Sequence, residues 1–263
     1  MKLIDLFEES NSNVLSYDDL TIDDFIERLT TECKDSLRLL KQDDFVLWKG
    51  IKDHVRSPFS QVDPARTPRK SKDTSNYYTM ILDNVPEMQE YPKRSRSLIA
   101  STSEQTAHHF GSAYAVFPVD GSKIGVVNES DIWNVNVDFW GIWGGLPIWN
   151  SIFKALNLDV NNWNTFKKQL SEKAPDNLIQ YMDSFDIDDL PDVNTYDEHV
   201  LTGITEDRTM LEILKEYTPK KLGFTLKTTS NFVSNISDSE VWIGGNCLLV
   251  HSSKLQDVKD KLR

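Results

Sequence analysis

The chain has 263 residues, 39% of them hydrophobic and 27% charged, with a formal net charge of −12 at pH 7. That is enough apolar material for one large domain or two small ones with a proper core. No apolar run approaches the roughly 20 residues that a membrane-spanning helix needs, and the negative balance argues against a general nucleic-acid or membrane-surface binder.

The opening Met1-Lys2-Leu3-Ile4-Asp5-Leu6-Phe7-Glu8-Glu9 turns acidic too early for a secretory signal, so a cytoplasmic protein is expected. Thr21 is a plausible N-cap, and Ile26, Leu29, Cys33, Leu37 and Leu40 then recur at helical steps, which predicts one amphipathic helix ending before Asp43-Asp44. Residues 1–44 read as an N-terminal helical segment ahead of a main domain over 45–263. Phe45-Val46-Leu47-Trp48 reads as a short strand closed by Gly50. Residues 52–76, with Pro58, Pro64 and Pro68 among polar and basic side chains, read as a long loop or extended arm. Tyr77 to Leu82 starts a helix or a strand. Ser97 to Ala100 is a strand running into Ser101-Thr102-Ser103, with a helix from about Glu104 to Phe110.

Ala113–Pro118 and Lys123–Val127 read as two strands joined by a turn at Asp120-Gly121. Residues 135–222 read as a helical insertion, with Trp140, Trp143 and Trp149 near its start, Trp133 just before it, and helical patterns near 148–156, 164–170, 178–182 and 209–217. The tryptophans suit a packed core or a covered groove, since basic partners for nucleic-acid bases are missing there. Gly223 to Lys227 is a strand. Glu240–Ile243 and Cys247–Val250 flank Gly244-Gly245-Asn246, a hairpin signal. Leu255 to Leu262 forms a closing helix. Strands and helices mixed without regular βαβ alternation define an α+β chain.

Cys33 and Cys247 lie far apart with no metal-ligand spacing and read as reduced core residues. His108-His109 lacks zinc-ligand spacing, and adjacent residues do not share a helix face. There is no nucleoside-triphosphatase phosphate loop and no dinucleotide fingerprint. Charge is uneven: Arg56, Arg66, Arg69, Lys70, Lys72, Lys93, Arg94 and Arg96 fall between 50 and 100, whereas 183–207 is strongly acidic. The basic stretch suits a small anionic ligand such as a dinucleotide pyrophosphate, or is simply a solvated face.

Three separated pieces stand in order: Trp48-Lys49-Gly50, then Ser101-Thr102-Ser103 with Phe110 behind it, then Asp238-Ser239-Glu240 at a strand start. Together they resemble the Arg / Ser-Thr-Ser / Glu-x-Glu signature of NAD-dependent mono-ADP-ribosyltransferases. Residues 45–135, and more loosely the expected terminal hairpin, also look like a group of transferase-like proteins of tailed bacteriophages. The resemblance implies an ADP-ribosyltransferase-like split two-sheet core, with NAD as substrate, no metal, and a host macromolecule, most simply a protein side chain, as acceptor. It implies action in the host-cell cytoplasm, with virion packaging also open.

By the same resemblance, Glu240 stabilises the oxocarbenium-like ribose and Asp238 contacts the acceptor, one methylene shorter than the family's glutamate. Ser101 is expected to hydrogen-bond Glu240 and hold it. Thr102, Ser103 and Phe110 line the nicotinamide side, although Ser103 could equally cap the following helix. Lys49 stands where the family has arginine, keeping the charge but losing the bidentate fork. Gly50 would let the backbone approach the ligand, and Arg69 would assist at the pyrophosphate. The rival expectation is a catalytically degenerate binding or structural protein on the same fold. An acidic nucleic-acid mimic is a third, against which the basic stretch speaks.

Overall fold

A computed structural model describes residues 17–52, 57–66, 77–84, 86–132, 135–137, 140–141, 157–159, 162–173, 218–236 and 238–263. The chain is mixed α and β, built on a large antiparallel sheet with a few helices. The strands are β1 (Tyr17–Asp19), β2 (Leu47–Ile51), β3 (Phe59–Val62), β4 (Leu98–Ser101), β5 (Ser112–Pro118), β6 (Lys123–Val127), β7 (Asn136–Val137), β8 (Trp140–Gly141), β9 (Phe224–Thr228), β10 (Glu240–Gly244) and β11 (Cys247–His251). The helices are α1 (Ile22–Glu32), α2 (Lys34–Asp43), α3 (Tyr77–Asn84), α4 (Glu104–His108), α5 (Trp163–Lys173) and α6 (Leu255–Lys261).

Nine strands run in the order β1-β3-β11-β5-β2-β4-β10-β6-β9, with β7 and β8 paired apart from them. Side chains on a strand alternate between faces, and β5 shows the consequence. Its Ala115 and Phe117, with Leu248 and Val250 of β11, pack against Phe25, Leu29, Leu40 and Val258 of α1, α2 and α6. Its Tyr114 and Val116 face the other way, into a cluster shared by Val62 of β3, Leu249 of β11, Leu98 and Ala100 of β4, Val126 of β6, and Val241 and Ile243 of β10. Strands near opposite ends of the sheet thus bury side chains in one cluster. The junction of its two halves is thin: β2 meets β4 at the single pair Trp48↔Ser101, whereas Leu47 to Ile51 pair along β5.

Several expectations need correcting. The helix expected from Thr21 to Leu40 is two helices. Thr21 does cap the first, its hydroxyl accepting from Asp24 N, but Cys33 leaves helical geometry at φ −125°, ψ 42°. The fresh N-terminus is then satisfied from afar, as the Asp120 carboxylate accepts from Lys34 N at 3.0 Å and Asp35 N at 2.9 Å. The two expected hairpins do not form. β5 pairs with β2 and β11, while β6 pairs with β10 and β9; β10 pairs with β4 and β6, while β11 pairs with β3 and β5. Both turns instead cross between the two halves of the sheet, side by side. Val119 N donates to Asn246 O at 3.0 Å, and a Cβ on Gly245 would lie 2.5 Å from Ser122 Oγ.

Within the expected loop of 52–76, Phe59–Val62 is a strand, paired with both β1 and β11. From residues 17–44, β1 joins the sheet beside β3, and both helices pack into the β5–β11 core. Tyr77 onward is helical. Of the expected insertion, β7, β8 and α5 are described; α5 covers the pattern at 164–170, and the patterns near 148–156, 178–182 and 209–217, with Trp133, Trp143 and Trp149, lie outside the described residues.

Candidate functional site

The thin junction is where the three sequence pieces meet. On β10, Val241 and Ile243 point into the shared core, which turns Glu240 and Trp242 to the opposite face. Antiparallel register sets Glu240 directly across from Ser101 of β4, and Ser101 across from Trp48 of β2. Lys49 is the next residue along.

Glu240 is 6% exposed and hydrogen-bonded through both oxygens. Oε1 accepts from Arg94 Nη1 at 3.2 Å and also from Trp242 Nε1. Oε2 accepts from the backbone N–H of Ile132 at 3.0 Å. Arg94 comes from a 3-10 turn over Arg94–Arg96, and its guanidinium lies 5.2 Å from the Trp242 ring centroid. Phe224 of β9 packs edge-on against the same indole, centroids 4.6 Å apart. A buried charge is tolerated only when paired and hydrogen-bonded, and Glu240 has both.

Lys49 also sits in this field. Burial pushes its amine down to about 8, although part of the residue still reaches solvent; the Glu240 carboxylate pulls it back up and Arg94 pushes it further down. The three ionic groups therefore share one neighbourhood.

Asp238 differs from Glu240 in every respect. It is exposed, and both its oxygens accept from Thr106 Oγ1 of α4 at 3.0 Å. Ser101 Oγ donates to Asp238 Oδ1 at 3.3 Å and accepts from Ser103 N at 3.0 Å. The expected bond from Ser101 to Glu240 is therefore not made. Arg94 and Trp242 take Oε1 of Glu240 and the Ile132 amide takes Oε2, while the serine donates to the neighbouring carboxylate.

The rest of the hydroxyl trio holds the fold. Thr102 Oγ1 accepts from Ser239 N at 2.9 Å while Thr102 N donates to Ser239 O at 3.1 Å, carrying the β4–β10 ladder one step past the strand ends. Ser103 caps α4, accepting from Thr106 N at 3.2 Å. The missing Cβ of Gly50 faces protein. A Cβ there would lie 2.1 Å from Ala107 O and 2.7 Å from Phe110 Cβ, so the end of α4 fills that side and Phe110 packs against the strand. Arg69, with Arg56, Lys70 and Lys72, lies outside the described residues. Cys33 and Cys247 are both buried free thiols.

Sequence reasoning missed Arg94, Thr106, Trp242 and the Ile132 N–H as site groups. Trp242 carried a usable signal, since two residues on from Glu240 on a strand is the same face. Arg94 was visible only as one of several basic residues. Among the described residues, no group of three or more histidine, cysteine, aspartate and glutamate side chains could hold a metal ion, and no helix is long and apolar enough to cross a membrane. No protein-family model, curated protein or solved structure matches this chain.

Proposed function

We propose that this chain is a NAD-dependent mono-ADP-ribosyltransferase, acting in a host-cell cytoplasm on a protein side chain. One observation carries the reading: Trp48, Ser101 and Glu240, one from each of three separated motifs, are successive partners across three adjacent strands. Transfer of ADP-ribose breaks the bond between nicotinamide and ribose and leaves positive charge on the sugar, as in glycoside hydrolysis. A fixed carboxylate lowers the energy of that charge, and a nearby ammonium suits the pyrophosphate. The pair Asp238 and Glu240 provides the first and Lys49 the second.

The reading is tested by incubating the protein with labelled NAD and a cell lysate. Wild type should release nicotinamide and label protein. The Asp238→Asn, Glu240→Gln double variant, checked for folding by circular dichroism, should do neither. A wild type that does neither contradicts the reading.

One observation favours a second reading, a transferase fold that binds without catalysis. Both oxygens of Glu240 are engaged by Arg94, Trp242 and Ile132 in a buried wall. On that reading NAD binds, or fails to bind, with no nicotinamide release.

A further inference from the structure

We infer that Asp238, not Glu240, is the carboxylate that faces the reacting ribose, and that Thr106 positions it; this rests on the transferase reading above. The two acids sit two residues apart and share Ser101 as a neighbour, but their environments divide the work. Glu240 has its oxygens committed to an arginine, an indole and a backbone amide, with its side chain 8% exposed. Turning it toward a ligand would break its buried bonds to the Arg94 guanidinium, itself only 10% exposed, to the Trp242 indole and to the Ile132 amide. Asp238 is exposed, so a sugar can reach it at no such cost.

Asp238 is also oriented. Thr106 Oγ1 stands 3.0 Å from both of its oxygens and Ser101 Oγ 3.3 Å from one. Hydroxyls can fix a carboxylate without neutralising it, as a guanidinium would. Thr106 is itself held, its backbone N–H donating to the Ser103 cap of α4. The Ser101-Thr102-Ser103 turn therefore orients Asp238 twice, directly through Ser101 and indirectly through the helix it starts. Glu240 with Arg94 forms the rigid floor behind.

In the step so assigned, the bond from the nicotinamide nitrogen to the ribose carbon breaks and its electron pair leaves with nicotinamide. Asp238 stabilises the resulting cation. The acceptor's lone pair forms the new bond to that carbon, and the acceptor's proton passes to water. Thr106 acts only through Asp238.

The experiment follows labelled NAD through two readouts, nicotinamide release without acceptor and protein labelling with lysate. Both are measured for wild type, Asp238→Asn, Thr106→Val and Thr106→Ser, after thermal melts show that the variants remain folded. Asp238→Asn should lower both readouts by about a hundredfold or more. Thr106→Val should lower kcat for release by about tenfold with KM for NAD unchanged, and Thr106→Ser should restore most of it. An Asp238→Asn variant that releases nicotinamide normally but no longer labels protein would move Asp238 to the acceptor and overturn the inference. Unchanged rates in both readouts would overturn it too. A wild type that releases no nicotinamide removes the transferase reading itself, and the inference with it.

Discussion

Arg94 meets Glu240 through a single guanidinium nitrogen, Nη1 to Oε1 at 3.2 Å, with the two side chains 10% and 8% exposed. Such a pair adds little over a well-packed apolar pair, but removing one partner leaves the other charged and buried. Arg94→Met and Glu240→Gln should each lower unfolding stability by roughly 3–5 kcal/mol. The Arg94→Met, Glu240→Leu double variant should recover a large part of that loss. Urea denaturation reads all three. Single variants as stable as wild type would mean that water reaches the pair.

Gly50 separates a structural role from a ligand-binding one. Its missing Cβ leaves room for the Ala107 carbonyl, which an alanine would approach to 2.1 Å. Backbone cannot swing aside as a flexible side chain can. Gly50→Ala should therefore lower the melting temperature, at a cost of about 1–3 kcal/mol. A melting temperature that does not move, with weakened ligand binding, would return Gly50 to the ligand.

The Lys49 amine gives a pH signature. Burial lowers it from 10.5 to about 8 in the folded chain. Below about 8 both folded and unfolded forms carry the proton, and the folded state bears the full penalty of the buried charge. Between about 8 and 10.5 the unfolded state holds more protons, so stability from this group rises with pH. Wild type should gain stability relative to Lys49→Met across that window in denaturation curves at successive pH values. A difference that is flat, or that falls with pH, would contradict the buried setting.

Asp120 ties the break between α1 and α2 to the turn after β5. Its carboxylate caps α2 through Lys34 N and Asp35 N, and its own N–H donates to Glu32 O at 2.7 Å. Asp120→Ala should lower stability by about 1–2 kcal/mol. Asp120→Asn should lower it less, because the amide oxygen can still accept. Thermal melts distinguish them, and equal losses would show that charge rather than capping matters.

Much of this was legible along the chain and some was not, for identifiable reasons. The apolar runs at 113–118, 123–127, 240–243 and 247–250 mark strands because each buries alternate side chains on two covered faces. Their pairing was not legible. Glycine at Gly121, with φ +82°, and at Gly244-Gly245 announces a turn, but not whether the next strand returns beside the last or crosses to the other half of the sheet. Phe59–Val62 hid among prolines and polar residues, because a four-residue strand bordered by Pro58 offers too little alternation. The motifs at 48–50, 101–103 and 238–240 were legible as spelling. The partners that give each carboxylate its character were not: Arg94 lies 146 positions from Glu240, and Thr106 lies 132 from Asp238. Local sequence carries no trace of such pairings.

The most direct test of the central claim is calorimetric titration of NAD into wild type and Lys49→Met, at pH 7 and at pH 9. If the junction of β2, β4 and β10 holds the dinucleotide, wild type shows saturable heat at pH 7. Binding then weakens at pH 9 as the Lys49 ammonium loses its proton, and Lys49→Met binds weakly at both values. No saturable heat with wild type, or identical binding by the two proteins at both pH values, contradicts the account.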